Sequence, residues 1–193
     1  DGLIPGFPSK TVPNHYSIVT GLYPGHHGMV ANVIRDPETG RLFERTNRRE
    51  VEDPMWWGGD PVWNSAQRAG LIAATMFWPG SEARVGGMQP RYWREFDDRL
   101  PERDRVAQVL AWLDLPLAER PDLLTLYLNE VDTLGHWYGP DSTRVRDAIV
   151  RADAHLGPLV SGLQDRGLLA SANLVVVSDH GMASTTRART IVV

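Results

Sequence analysis

Three continuous apolar runs, separated by longer stretches of helical period, set the outline of this 193-residue chain. Residues 71–77 (LIAATMF) and 123–128 (LLTLYL) are apolar at nearly every position, and four of the five residues in 173–177 (NLVVV) are apolar. A strand with one wet face alternates apolar with polar residues, so continuous runs of this length predict strands covered on both faces. Between the runs, residues 101–113 repeat apolar positions at Val106, Val109, Leu110 and Leu113, a helical period. Residues 141–163 predict a long helix with Val145, Ile149, Ala152, Leu156, Leu159 and Leu163 on one face. Residues 61–69 predict a shorter helix, with Asp60 as its cap and Gly70 as its stop. Strands alternating with helices in this way predict an α/β fold of βαβ units on a parallel sheet, whose ligands bind beyond the carboxyl ends of the strands.

The pattern loosens elsewhere. Pro5 and Pro8 make residues 1–10 an opening loop, and residues 29–34 read as a short strand end before a turn at 36–40. Residues 41–60 are polar and irregular. Residues 82–100, with Gly86, Gly87 and Pro90, read as an exposed excursion. Residues 14–21 predict a helix that Pro13 opens and Gly21 stops. Thr11 then lies at a helix N-terminus, where it either caps the backbone or presents its hydroxyl to an anion, phosphate above all.

Composition narrows the chemistry. At 42% hydrophobic and 23% charged the chain has the makings of a globular core, and a net charge of −4 carries no nucleic-acid footprint. The absence of cysteine excludes disulfides and thiolate metal sites, so any metal must be held by His, Asp and Glu. No run of about 18 apolar residues offers a membrane span. The seven tryptophans line a pocket or, more commonly, pack; Trp56 and Trp57 are read as filling a hydrophobic corner. Asp1 in place of Met, and a strand-like ending at residues 190–193, predict a piece of a longer enzyme.

Two of the predicted strands end in metal-ligand sets. Asp132 and His136 are four apart, which brings both side chains to one ion if the loop turns helically. Asp179 and His180 are adjacent, so they bind one ion through a bend, for which Gly181 is suited, or each face a different ion. Nitrogen and oxygen donors without sulfur suit zinc, manganese or iron. Two ions about 4 Å apart clamp an in-line displacement at phosphorus, and a metal can activate a hydroxyl nucleophile.

Residues 7–16 (FPSKTVPNHY), followed by 19–24 (VTGLYP) and His27-Gly28, resemble the nucleophile segment of the nucleotide pyrophosphatase/phosphodiesterase family of the alkaline phosphatase superfamily. Residues 78–81 (WPGS), 132–136 with Gly139-Pro140, and 178–182 (SDHGM) are similar to its later motifs, in the same order. The resemblance covers essentially the whole chain. It implies a three-layer sandwich with a mostly parallel central sheet, alkaline-phosphatase-like, and a single catalytic domain of which residues 1–193 are part. It implies two zinc ions: Thr11 as nucleophile and ligand of one, with Asp179 and His180, and Asp132 and His136 on the other. Asn32 resembles the asparagine that hydrogen-bonds a phosphate oxygen. Phe96 falls where relatives stack an aromatic on the base, and Val12 stands where they often carry Phe. The family's further ligands, an Asp on an earlier strand and a third His on the second zinc, have no match within residues 1–193.

The implied activity is hydrolysis of nucleotide phosphodiester or pyrophosphate bonds through a phosphorylated threonine, outside the cytoplasm in the periplasm or extracellular space. The alternatives are a phosphomonoesterase or a lipid or choline-phosphate diesterase on the same scaffold, or an inactive metal- or nucleotide-binding piece. The expected partner is a small nucleotide or phosphodiester substrate rather than a nucleic acid. His15, His26 and His27 are read as holding loops, His155 as a packing or surface residue, and Lys10 as either a phosphate contact or a loop residue.

Overall fold

A computed structural model describes residues 2–186 and 188 of the chain. The elements are, in order, α1 Thr11–Thr20, α2 Pro24–His27, β1 Val33–Arg35, β2 Leu42–Glu44, α3 Arg48–Val51 and α4 Val62–Arg68. There follow β3 Ala73–Met76, β4 Tyr92–Arg94, α5 Glu102–Leu113, β5 Leu123–Leu126, α6 Glu130–Tyr138 and α7 Thr143–Asp165.

Strand β3 is the axis of the molecule. Parallel ladders run from it to β4 (Ala74 opposite Tyr92) and to β5 (Ala73 opposite Leu123), giving the order β4-β3-β5. All four of its residues are buried, as a strand covered on both faces requires. Ala73 faces a core with Val12, Tyr16, Trp57 and Trp63, whereas Ala74 and Met76 face one built from Val106, Val109, Trp112 and Leu159. The sheet is therefore the middle of three layers. Strands β1 and β2 form a separate antiparallel hairpin around the expected turn at 36–40.

Several elements differ from expectation. Helix α1 starts at Thr11, three residues earlier than Asn14, and Lys10 occupies the cap position without a side-chain cap bond. Thr11 is therefore the first helical residue and not an N-cap. Asn14, inside the first turn, bonds the Gly6 N–H at 2.7 Å and the Pro8 carbonyl at 3.1 Å, which ties the opening loop to the helix. Pro61, not Asp60, occupies the cap position of α4, and the Asp60 carboxylate instead pairs with Ser65 and Arg68.

Residues 82–100 are not an excursion. Gln67 of α4 accepts from the Arg91 N–H at 2.7 Å and donates to the Gln89 carbonyl at 2.7 Å, and this lays the following β4 along the edge of the sheet. Residues 41–60, read as irregular, contain β2, α3 and a turn of 3-10 helix at Pro54–Trp56. On α7, which Ser142 caps through the Val145 N–H, Ile149 is exposed while Ala148 and Gly162 are buried. The buried face follows α6 along one half of α7 and α5 along the other, and at the α5 end Gly162 lies against Leu110.

The third strand is absent: residues 173–177 form no ladder, and Val175 is 77% exposed. An apolar run is a local signal, while a strand needs a neighbour's hydrogen bonds, and β5 pairs only with β3 among the described residues. The expected strand at 190–193 lies outside the described residues, as does Asp1.

Candidate active site at the strand ends

Three segments converge beyond the carboxyl ends of β3 and β5. Helix α1 supplies Thr11, α6 supplies Asp132 and His136, and the loop after residue 177 supplies Asp179 and His180. The Thr11 hydroxyl lies 3.3 Å from His180 Nε2. The same nitrogen lies 3.3 Å from Asp179 Oδ2 and 4.0 Å from Asp132 Oδ1, and His136 Nε2 lies 3.5 Å from Asp132 Oδ1. The helical turn expected of the Asp132–His136 spacing is present, because both sit on α6.

Asp132 Oδ1 is buried and has no hydrogen-bond partner among the described residues. A buried acceptor facing two imidazoles from 3.5 and 4.0 Å fits a cation-binding role for this set. Among the described residues no three His, Asp or Glu side chains are close enough together to hold a metal ion as they stand.

Each of these side chains has a local cause for its place. Glu102 of α5 accepts from the Asn129 and Glu130 N–H groups at 2.7 and 2.8 Å, satisfying the free donors where α6 begins. Arg105, one turn along α5, donates to the Tyr127 carbonyl and to Asn129 Oδ1, fixing the turn between β5 and α6. Gly135 lets Met182 settle on α6: a Cβ there would stand 2.7 Å from its sulfur. Asn32 Oδ1 accepts from the Val12 N–H at 3.0 Å, which brings the asparagine to the amino end of α1 beside Thr11.

His15 was read as a loop-holding residue, and the structure brings it to the site. Its Nδ1 lies 2.9 Å from the Thr11 carbonyl and 3.2 Å from Asp179 Oδ2. A carbonyl only accepts, so Nδ1 carries the hydrogen. Burial raises the Asp179 pKa, but the hydrogen bond from His15 and the neighbouring imidazoles outweigh it and hold the carboxyl below its ordinary value. The signal was available, for residues 11 and 15 share one face of a helix. Tyr127 was also missed: it packs edge-on against His15 at 4.7 Å, and burial pushes its phenol pKa up.

A cleft of about 60 Å³ runs from Thr11 and Val12 to Phe96, with Phe77, Trp78 and Tyr127 on its walls. Phe96 stands edge-on to Phe77 at 5.4 Å. Phe77 has a φ of 65°, a left-handed backbone that is costly for an aromatic residue. Trp57 combines core packing with a place on the cleft wall, and Trp56 is buried with its N–H on Glu50. A depression of about 420 Å³ lies around Gly70 and Leu71, where β3 begins, and carries neither a nucleophile nor a carboxylate.

The remaining histidines divide. His27 is buried with Nδ1 accepting from the Met29 N–H and Nε2 2.9 Å from Ser17 Oγ, and burial lowers its pKa. His26 and Lys10 are exposed, and His155 lies 3.8 Å from Glu102.

A three-layer α/β fold with His, Asp and Thr at the strand ends is the architecture of the alkaline-phosphatase-like proteins, and solved members superpose on this chain. Murine ectonucleotide pyrophosphatase / phosphodiesterase 5 matches with a TM-score of 0.90 at 34% identity, over 98% of this chain and 50% of that one. An inactive threonine-to-alanine variant of the same murine protein, solved in complex with AMP, matches with a TM-score of 0.80 at 32% identity, over 87% and 44%. The chain belongs to the type I phosphodiesterase / nucleotide pyrophosphatase family, whose model matches residues 1–193. Among curated relatives, venom phosphodiesterase CdcPDE of Crotalus durissus collilineatus is 47% identical over 176 residues, 91% of this chain and 21% of that protein. The chain thus spans about a fifth of that relative's length.

Proposed function

We propose that residues 1–193 are part of a single catalytic domain that hydrolyses nucleotide phosphodiester or pyrophosphate bonds by two in-line displacements. The observation that carries this reading is the Thr11 hydroxyl at the amino end of α1, 3.3 Å from His180 Nε2, which itself lies 3.3 Å from Asp179 and 4.0 Å from Asp132. Thr11 attacks phosphorus, the leaving alkoxide or phosphate departs on the far side, and water then cleaves the phosphothreonine ester. The dipole at the start of α1 favours the phosphate. With the Asn32 carbonyl oxygen held by Val12, its amide nitrogen is the end left to donate to a non-bridging oxygen. His15 fixes Asp179 by hydrogen bond, and Phe96 and Val12 flank the nucleoside.

Zinc is the metal we assign to this donor set, with Thr11, Asp179 and His180 holding one ion and Asp132 and His136 another. Such ions supply positive charge that activates the hydroxyl and neutralises the phosphate. The orphaned Asp132 Oδ1 supports a cation there. The AMP complex of the inactive murine threonine-to-alanine variant supports both a threonine nucleophile and a nucleotide ligand. The venom relative supports a place outside the cytoplasm. No helix among the described residues is long and apolar enough to cross a membrane.

Thr11→Ala in the full-length protein should lower kcat on p-nitrophenyl thymidine monophosphate by about 10⁴-fold or more, with zinc content retained. A near-normal rate would refute the nucleophile. Faster turnover of p-nitrophenyl phosphate than of the thymidine diester would favour a monoesterase instead.

A further inference from the structure

We propose that Arg48 and Glu82 form a charged brace that positions Phe96, which makes Arg48 a determinant of how tightly the nucleoside half of the substrate is held. The inference rests on the phosphodiesterase reading above. Arg48 opens α3, and Val51 of the same helix lines the cleft together with Phe96. Its three nitrogens meet three carboxylates: NH1 lies 2.5 Å from Glu82, Nε 3.1 Å from Glu95 and NH2 2.6 Å from Glu52. Glu52 is on the helical side. Glu82 and Glu95 are on the other, so the guanidinium spans from α3 to the segment that carries Phe96.

Glu82 is the centre of this brace. It follows the 78–81 loop, lines the cleft and is only 7% exposed. Its carboxylate takes the Arg48 ion pair, and burial pushes its pKa up while Arg48 first and then the nearby Phe96 N–H pull it down. Glu95 precedes Phe96 in sequence, so two consecutive residues of the β4 exit are tied to one arginine, directly or through Glu82. The Arg48–Glu82 contact is a close ion pair rather than a well-aimed hydrogen bond, since Glu82 Oε2 has no partner of good geometry. Burial of a carboxylate without its cation is costly, so removing Arg48 protonates Glu82 or draws water to it. Either event releases Phe96. At about 60 Å³ the cleft is well below the roughly 300 Å³ of ordinary ligand sites. The brace holds the segment that carries Phe96 against α3 and so sets the width of this cleft.

The test uses the full-length protein as wild type, Arg48→Met and Arg48→Lys, on p-nitrophenyl thymidine monophosphate and on bis(p-nitrophenyl) phosphate, which has no nucleoside. Arg48→Met should raise KM for the thymidine substrate about fivefold to tenfold more than KM for the simple diester, a loss of the size of one weakened base–aromatic stack. Its kcat on the thymidine substrate should change by less than about twofold, and Arg48→Lys should restore most of the difference. Equal losses on both substrates, or no change in KM, would overturn the brace. Calorimetric binding of thymidine monophosphate in a Thr11→Ala background asks the same question without turnover. Equal affinity with and without Arg48 overturns the brace there, even if the wild type cleaves neither substrate and the phosphodiesterase reading fails. Glu95→Gln, at an exposed carboxylate, gives a smaller shift in the same direction should Arg48→Met fail to fold, and its absence counts against the proposal.

Discussion

Thr11 and His180 face each other across 3.3 Å and are held in opposite ways. The Thr11 side is built into a core: Val12, Tyr16, Trp57 and Trp63 are buried around it, and Trp78 donates its N–H to the His15 carbonyl. The His180 side is a loop without a ladder whose four preceding apolar residues are exposed. It is fixed by Asp179 on His15, by Met182 on Gly135 and by Ser184 on Asp141. Thr11 is therefore positioned by packing, whereas Asp179 and His180 are positioned by contacts to the site they help to form. Preorganisation in this chain is one-sided.

Four measurements would break or sharpen that contrast. Trp57→Ala should be the most damaging, destabilising the chain by about 3–5 kcal/mol in urea unfolding, because a fully packed indole leaves a cavity next to Tyr16 and Phe43. His15→Gln should leave the fold nearly intact yet weaken metal binding about 10- to 100-fold, as loss of a residue that orients a ligand does, read by competition with a chelator. A parallel loss of stability would mean that His15 belongs to the core and not to the ligand set.

Acid should loosen the packed side in a defined way. Arg41 holds Glu50 below its ordinary value, and the Met55 N–H and then Arg41 do the same for Asp53. A carboxylate depressed in the folded state binds fewer protons than in the unfolded state, so its contribution is present above the unfolded values of 4.5 and 3.8 and is lost as pH falls through the folded ones. Urea midpoints should therefore drop below pH 4.5, and Glu50→Gln should flatten that drop. The smallest effect is expected at Val175→Ser: in this chain the change should stay within about 0.5 kcal/mol, the range of an exposed site. A cost of several kcal/mol would show that residues 173–177 are buried after all.

Much of this was legible in the sequence where signals are local. Pro13 and Gly21 announced α1 to within three residues, and the Asp132–His136 spacing announced a helical turn. The errors share one cause. Residues 82–100 hide a strand because Gly86, Gly87 and Pro90 are strong local breakers, whereas β4 owes its place to Gln67, some twenty residues away. Residues 173–177 look like a strand because they are apolar, but the ladder that would make them one belongs to a neighbour. His15 and Glu82 were passed over for the same reason: their partners Asp179 and Arg48 are distant in sequence. The Phe96 position, by contrast, followed from resemblance and fell on the cleft wall.

The hydroxyl–imidazole contact joins residues 169 positions apart. Closing so long a loop carries more entropic cost than any contact inside α1 or between β3 and β5, and the cost is met only after the intervening elements have compacted the chain. A polypeptide synthesised from its amino end exposes Thr11 long before His180 leaves the ribosome. Thr11 accordingly stands in the packed part of the chain before residues 178–182 dock against it, and the strand-end cluster is completed by that later docking rather than by the early collapse of the core.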